Sequence, residues 1–337
     1  IDWMGECNLL QTGIPQSLLY YEYYPFWKTF FTRLGYEIVL SGETTREILD
    51  MGALACVQDS CIPVKLYHGH VLNLIDRCDK IFVPRFISIA KREFICPKFI
   101  GLPEMLKGAG VIDDNKMLVI EIDGYRKPDE QHRDFARYAA KVFGSRRKAN
   151  LLIDHCQRAQ QDYEKRCLNA FSGAREIGNK GVIGLIGHPY IVYDTHINMS
   201  IAEKLNKSGF SVMYPENIPI ENIDAECALL PKRIFLSYCR RLFGSGMDMM
   251  RNNRVDGIIF ITSFACGVDA LIGELLEIYN NRYFKIPYTT IVIDEHTGEG
   301  GFKTRLEAFL DMVGWRRRDG IDVSTHGENV YSGKSIP

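Results

Sequence analysis

The stretch VDGIIFITSFACGVDALIGELLEIY, Val255–Tyr279, decides how this chain is read. Its opening apolar run has the length of one strand and lacks polar alternation, the mark of a strand covered on both faces in a parallel sheet. The run stops at Ser263–Phe264, turns through Ala265–Cys266–Gly267, and resumes with a helical period. Strand, tight turn and helix in this order belong to α/β folds, where ligands collect beyond the carboxyl ends of the strands. The Cys266 thiol therefore stands where a bound group would be met.

Outward from this stretch, strand-like and helical periods alternate along the chain. Residues 18–34 (LLYYEYYPFWKTFFTRL) read as an apolar helix, YEIVLS as a strand, and TTREILDMGAL as a helix capped by Thr44 or Thr45. KIFVPRF and MLVIEID read as buried strands, and residues 129–143 and 150–172 as two helices. The second half repeats the plan: GVIGLIGHPYIVYDTHINMSIAEKLNKSGFSVMYPEN reads as strand, loop, helix and strand, and residues 231–253 form a long helical region. TGIPQSLLYYEYY matches IGHPYIVYDTHIN in position, and MLVIEIDGYRKPDEQ matches TTIVIDEHTGEGG. Two similar α/β lobes are the economical reading: residues 1–150, a helical connector over 151–176, and residues 177–337.

Composition narrows the function. With 337 residues, a formal net charge of −1 and 46% hydrophobic residues, the chain is an ordinary globular protein with no electrostatic case for nucleic acid. The basic runs GSRRKAN and GWRRRDG are short and lack interleaved aromatics, so they read as solvated helix ends. No segment is long and apolar enough to span a bilayer, and the first residues lack the pattern of a signal peptide. A cytoplasmic location, with no membrane partner, is expected. In that reducing setting the 10 cysteines are not a disulfide framework, which leaves metal or redox work for those outside the core.

Three cysteines stand at turns. Cys61 precedes Pro63 at the edge of a helical pattern, Cys96 precedes Pro97 in a Gly/Pro-rich loop, and Cys266 precedes the last-described helix. A thiol at a helix N-terminus feels the positive end of the dipole and is biased toward thiolate, the form that binds soft metals and iron–sulfur clusters. Cys7, Cys78, Cys156, Cys167, Cys227 and Cys239 read as core or surface thiols, and Cys56, close before Cys61, is ambiguous. No zinc-ribbon spacing is present. A Cys–His nucleophile built on Cys61 and His68 fails on reach, since seven residues separate them along one helix. There is no P-loop, and GLIGHP lacks the third glycine of a dinucleotide fingerprint. The loop DEHTGEGG, residues 294–301, gathers carboxylates and a histidine after a strand and suits a catalytic loop, a metal site or a contact between lobes.

Six blocks taken together, GIPQSLLYYEYYPFWKTFF, CIPVKLYHGH, ICPKFIGLP, GLIGHPYIVYD, SFACGVDALIGELLE and IDEHTGEGGFKTRLEAF, carry a family likeness over almost the whole chain. The chain resembles the acyl-CoA dehydratase activase-related (CoA enzyme activase) group of the 2-hydroxyacyl-CoA dehydratase and benzoyl-CoA reductase superfamily. The resemblance implies two Rossmann-like lobes with mostly parallel sheets and a cofactor cleft between them. It further implies an iron–sulfur cluster in that cleft, a 4Fe–4S cube or a double cubane, held by Cys61, Cys96 and Cys266. These are the same thiols that the turns single out. His188, Glu295 and His296 are expected as catalytic groups, and His68, His70, Tyr190 and Gly267 as residues surrounding the cluster. A separate ATP-dependent activator with an actin-like fold would deliver low-potential electrons. Neither that activator's ATP-binding motifs nor an acyl-CoA pocket is legible here. The chain is thus expected to act as the electron-receiving component of a reductase or dehydratase, as a homodimer or beside a paralogous cluster-bearing subunit, on an unread small molecule. The alternatives are a non-catalytic scaffold or maturation subunit, and a thiol-dependent acyl transferase.

Overall fold

The computed structural model describes residues 10–171 and 180–319. Its first lobe runs β1 (Gln11–Ile14), α1 (Tyr20–Arg33), β2 (Glu37–Leu40), α2 (Arg46–Ala55), α3 (Ile62–Leu74), β3 (Lys80–Ser88), α4 (Pro97–Ile100), α5 (Leu102–Gly108), β4 (Met117–Asp123) and α6 (Arg133–Phe143). The long helix α7 (Arg146–Ala170) then packs on α1 and α6. The second lobe runs β5 (Val182–Ile186), α8 (Pro189–Val192), α9 (Ile201–Lys207), β6 (Ser211–Met213), α10 (Ile220–Ala228), α11 (Ser237–Arg251), β7 (Gly257–Ser263), α12 (Gly267–Tyr279), β8 (Tyr288–Ile293) and α13 (Glu299–Asp319).

The two sheets are built alike. Each has four parallel strands, in the orders β2-β1-β3-β4 and β6-β5-β7-β8. This is the architecture expected from the sequence, two Rossmann-like lobes, and the internal likeness extends to a helix pair inserted before the third strand of each sheet. The inner strands read as continuous apolar runs because both faces are covered: every residue of β5 and β7 is buried. Against β3 lies an aromatic core in which Phe26, Phe30 and Phe31 of α1 meet Phe82 and Phe135, largely edge to face. Each such ring, fully buried, contributes roughly 1.5–3 kcal/mol.

One contact fixes the position of α3, the helix that Cys61 begins. A Cβ on Gly69 would lie 1.9 Å from the Ile48 carbonyl oxygen, and one on Gly52 would lie 1.9 Å from that of Lys65. The missing side chains let α2 and α3 approach backbone to backbone. Thr45 caps α2, its hydroxyl accepting from the Ile48 N–H, while neighbouring Thr44 is engaged elsewhere.

The lobes are tied by specific contacts. Phe94 pairs with Leu236 in an isolated parallel bridge, with Phe94 N–H donating to the Phe235 carbonyl at 2.8 Å. The Lys65 ammonium of α3 meets Glu295, beyond β8, at 2.5 Å. Thr44 donates to Asp194 at 2.5 Å, and His70 Nε2 lies 3.0 Å from the same hydroxyl.

Two local expectations are corrected. The helical region expected over 231–253 is shorter: residues 231–236 lie outside any helix, Leu236 making the bridge to Phe94, and α11 begins only at Ser237. The irregular loop around Cys96 holds two short helices, α4 and α5, started by Pro97 and Pro103 rather than broken by them. No helix among the described residues is long and apolar enough to cross a membrane. The expectations for Cys7, for the first nine residues and for the end of the connector lie outside the described residues.

Candidate functional site

All three turn cysteines are the cap residues of helices. Cys61 precedes α3, Cys96 precedes α4 and Cys266 precedes α12. The first two are set there by a proline in the first helical turn, which cannot donate and has its φ preset. Before Cys266 the chain makes its turn with Ala265 in the left-handed region, at φ 64°, a conformation that disfavours any residue with a Cβ.

The three thiols line a single pocket between the lobes. Its walls are Leu18, Pro63, Val64, Ile95 and Phe99 from the first lobe, and His188, Tyr190, Ile191, Leu236, Tyr238, Cys239, Ser263, Val268 and Asp269 from the second. The volume is ≈ 50 Å³. That suits a compact inorganic group or a few waters, not an extended organic substrate. The position is the one the topology favours, beyond the carboxyl ends of β5 and β7 and their counterparts in the first sheet.

Few polar groups stand in or beside this pocket. Lys98 Nζ lies 3.6 Å from Cys61 Sγ. Asp269, only 1% exposed, accepts from His188 Nε2 at 2.8 Å and from the Thr262 hydroxyl at 3.2 Å. Burial pushes the Asp269 carboxyl up, but His188, Cys266 and Thr262 together outweigh it and hold it below the usual carboxylate value. Burial, and after it the Asp269 charge, pushes the Cys266 thiol up to about 12. Burial also raises Cys96, with partial relief from the Lys98 backbone N–H and ammonium. Loading a metal here therefore means displacing protons. His188 stacks on Tyr190 with ring centroids 4.8 Å apart and meets the edge of Tyr238 at 5.4 Å. Its Nδ1 is buried without a hydrogen-bond partner among the described residues.

Among the described residues no three His, Cys, Asp or Glu side chains close to the spacing of a single-ion site. In a cluster each thiolate binds its own iron, so the ligands stand apart around the group instead of converging on one point. Three thiols of soft-metal chemistry, spread over both lobes in an apolar pocket with one ammonium, fit that requirement.

The remaining expected residues divide. Tyr190 and His188 line the pocket; Gly267 opens α12 beside it, with nothing within 4 Å of where a Cβ would be. His68 lies elsewhere, its Nδ1 2.8 Å from the Val64 carbonyl and its ring hydrogen-bonded to Cys56. His70 is fully buried between Ser41 and Thr44, and burial pushes it down to about 4. Glu295 pairs with Lys65, and His296 is exposed; neither lines the pocket. Of the three readings of the loop at 294–301, the lobe contact is the one the geometry realises. Sequence reasoning missed Asp269 and Tyr238, which sit inside regular helical periods, and Lys98, in the loop read as irregular; Cys239, read as a core or surface thiol, also lines the pocket.

Past Tyr238 lies a second, larger cavity of ≈ 810 Å³, lined by Glu22, Glu216, Arg240 and Arg241 among others. The Tyr238 hydroxyl donates to Glu22 at 2.5 Å, and Glu22 is paired with Arg241 at 2.8 Å. The first turn of α11 thus forms a wall between the two spaces.

Compared with known proteins, residues 11–218 match the family model described as CoA enzyme activase uncharacterised domain, which covers more than half of the chain. The chain belongs to that family. The matched region includes Cys61, Cys96 and His188 and stops before Cys266. No curated protein matches the chain.

Proposed function

From that family membership and the thiol pocket, we propose that the protein is the iron–sulfur component of a low-potential, ATP-coupled reductase or dehydratase system. Cys61, Cys96 and Cys266 hold the cluster, and a separate ATPase of actin-like fold supplies its electrons. The observation that carries this reading is that three cysteines, taken from helix-starting turns in both lobes, line one small pocket between them. A bound cluster supplies one-electron transfer at low potential. The chain's own residues prepare the site. Lys98 brings its ammonium to the Cys61 sulfur, the Asp269 backbone N–H donates to Cys266 sulfur, and Leu236, Ile191 and Phe99 line the pocket with apolar surface. Hydrogen bonds to cluster sulfur and exclusion of solvent are what set a cluster's potential.

The test is anaerobic purification with iron and acid-labile sulfide analysis. A brown protein that loses its iron on Cys266→Ala supports the proposal; a folded, colourless, iron-free anaerobic preparation overturns it. The small pocket specifically favours a second reading, a non-catalytic carrier or maturation subunit, because it leaves no room for an organic substrate beside a cluster. A stable cluster with no turnover of small substrates, even in the presence of the ATPase, would select that reading.

A further inference from the structure

His188 has one ring nitrogen committed and one that answers to nothing in the protein. Its Nε2 lies 2.8 Å from Asp269 Oδ1. A carboxylate can only accept, so Nε2 carries the proton and donates. Asp269 also accepts from the Thr262 hydroxyl at 3.2 Å, so the imidazole's orientation is set by a carboxylate that is itself held. Stacking on Tyr190 and the edge of Tyr238 lock the ring plane. What remains is Nδ1, on a residue 5% exposed that lines the thiol pocket and finds no hydrogen-bond partner among the described residues. A buried ring nitrogen with a lone pair is costly to leave unmet. An imidazole whose far N–H is held by a buried carboxylate is also the arrangement by which proteins orient metal-ligating histidines.

We propose that His188 Nδ1 is a fourth protein donor to the group held by Cys61, Cys96 and Cys266, with Asp269 as its positioning residue. This rests on the iron–sulfur reading above and deepens it. The rival donor is Cys239, whose buried thiol lines the same pocket. A thiol in an apolar wall has no unmet requirement, since it packs as a small hydrophobe, whereas Nδ1 does. One mixed Cys and His ligand set also has chemical precedent, because imidazole can replace thiolate on iron and raises the potential when it does.

The experiment is pulsed EPR on the reduced, anaerobically prepared full chain, with and without [15N]histidine labelling. The expected result is a strong nitrogen hyperfine coupling that changes on labelling of the wild-type protein and is lost in His188→Ala. Asp269→Asn is expected to keep the coupling while weakening iron retention against a chelator by about 10-fold, the lower end for loss of such an orienting partner. Labelling the unmutated protein keeps the test meaningful if His188→Ala does not fold. A cluster present at full iron content with no strongly coupled histidine nitrogen overturns the assignment and leaves the three-cysteine reading standing; loss of the cluster in Cys239→Ala alongside that result would pass the role to Cys239. A wild-type chain that binds no iron overturns both.

Discussion

Glu295→Gln distinguishes a strap between the lobes from a proton-handling loop. Lys65 belongs to α3 of the first lobe, and its side chain is only 5% exposed, while that of Glu295 is 25% exposed. With charges 2.5 Å apart, Coulomb's law at an effective dielectric of about 20 gives an attraction of about 7 kcal/mol before desolvation. Withdrawing the ammonium from water offsets most of this. Deleting one partner of a buried pair costs ~3–5 kcal/mol, and the partly wet carboxylate places this case near or below the lower end, at about 2–3 kcal/mol. Glu295→Gln should therefore move the urea midpoint down by about 1 M. Lys65→Met with Glu295→Gln should cost less than the two single changes added together, because no ammonium is then stranded. The pH dependence has a definite sign. Burial raises the Glu295 carboxyl, but the hydrogen bond and charge of Lys65 outweigh it and hold the carboxyl below its ordinary value. A folded pKa below the unfolded one gives stability that is present above the unfolded value, about 4.3, and is lost as pH falls through the folded pKa. The difference between wild type and variant should be flat from pH 6 to 8 and shrink in acid. A Gln variant as stable as wild type at pH 7, with additive single and double changes, would refute the strap.

Three further changes probe other parts of the molecule. Gly69→Ala places a Cβ 1.9 Å from the Ile48 carbonyl oxygen, so α2 and α3 must separate; a loss of ~3 kcal/mol or more in denaturant unfolding is expected, and a loss below 1 kcal/mol would mean the helices are not held that close. In iron-free protein, Asp269→Asn removes the second-largest contribution that raises Cys266, so alkylation of that thiol by iodoacetamide at pH 8 should quicken several-fold; an unchanged rate would show that burial alone controls it. Burial raises Cys56, but its hydrogen bonds from His68 and Ser60 and the His68 charge outweigh that and hold the thiol below its ordinary value. His68→Leu should slow alkylation of Cys56 at pH 7 several-fold, and a faster reaction would contradict the pairing.

Much of the fold was legible because its signals are local. The apolar runs of β5 and β7 announce a sheet covered on both faces, and the prolines after Cys61 and Cys96 mark helix starts whatever the tertiary setting. What failed were the places where a distant segment decides the backbone. Pro231 reads equally as the start or the stop of a helix, and the backbone after it is settled by Leu236, which pairs with Phe94, more than a hundred residues earlier. The same distinction runs through the site. The cysteines could be picked out because they sit at punctuated turns. Asp269 could not, since an acid in the first turn of α12 looks like an ordinary dipole-matched residue, and only the approach of His188 from 81 positions away gives it another role.

The likeness of the two lobes takes this one step further. In each sheet a helix pair precedes the third strand and another helix follows it. Cys96 follows β3 as Cys266 follows β7, so these two thiols occupy corresponding places. Cys61 begins the helix before β3, and in the second lobe the corresponding helix, α11, brings Tyr238 and Cys239 to the pocket. The Gly-x-Pro turn after the first strand holds Ile14 in one lobe and His188 in the other. A symmetric pocket would thus offer four thiols and no imidazole partnered by an acid. The protein departs from that symmetry only in its second lobe, where His188 and Asp269 enter together and Tyr238 reaches out to Glu22. The first lobe brings one ammonium, Lys98, to the thiols, and the second brings a buried imidazole–carboxylate pair. That asymmetry is the physical reason to look for the protein's particular chemistry at His188 rather than among the cysteines.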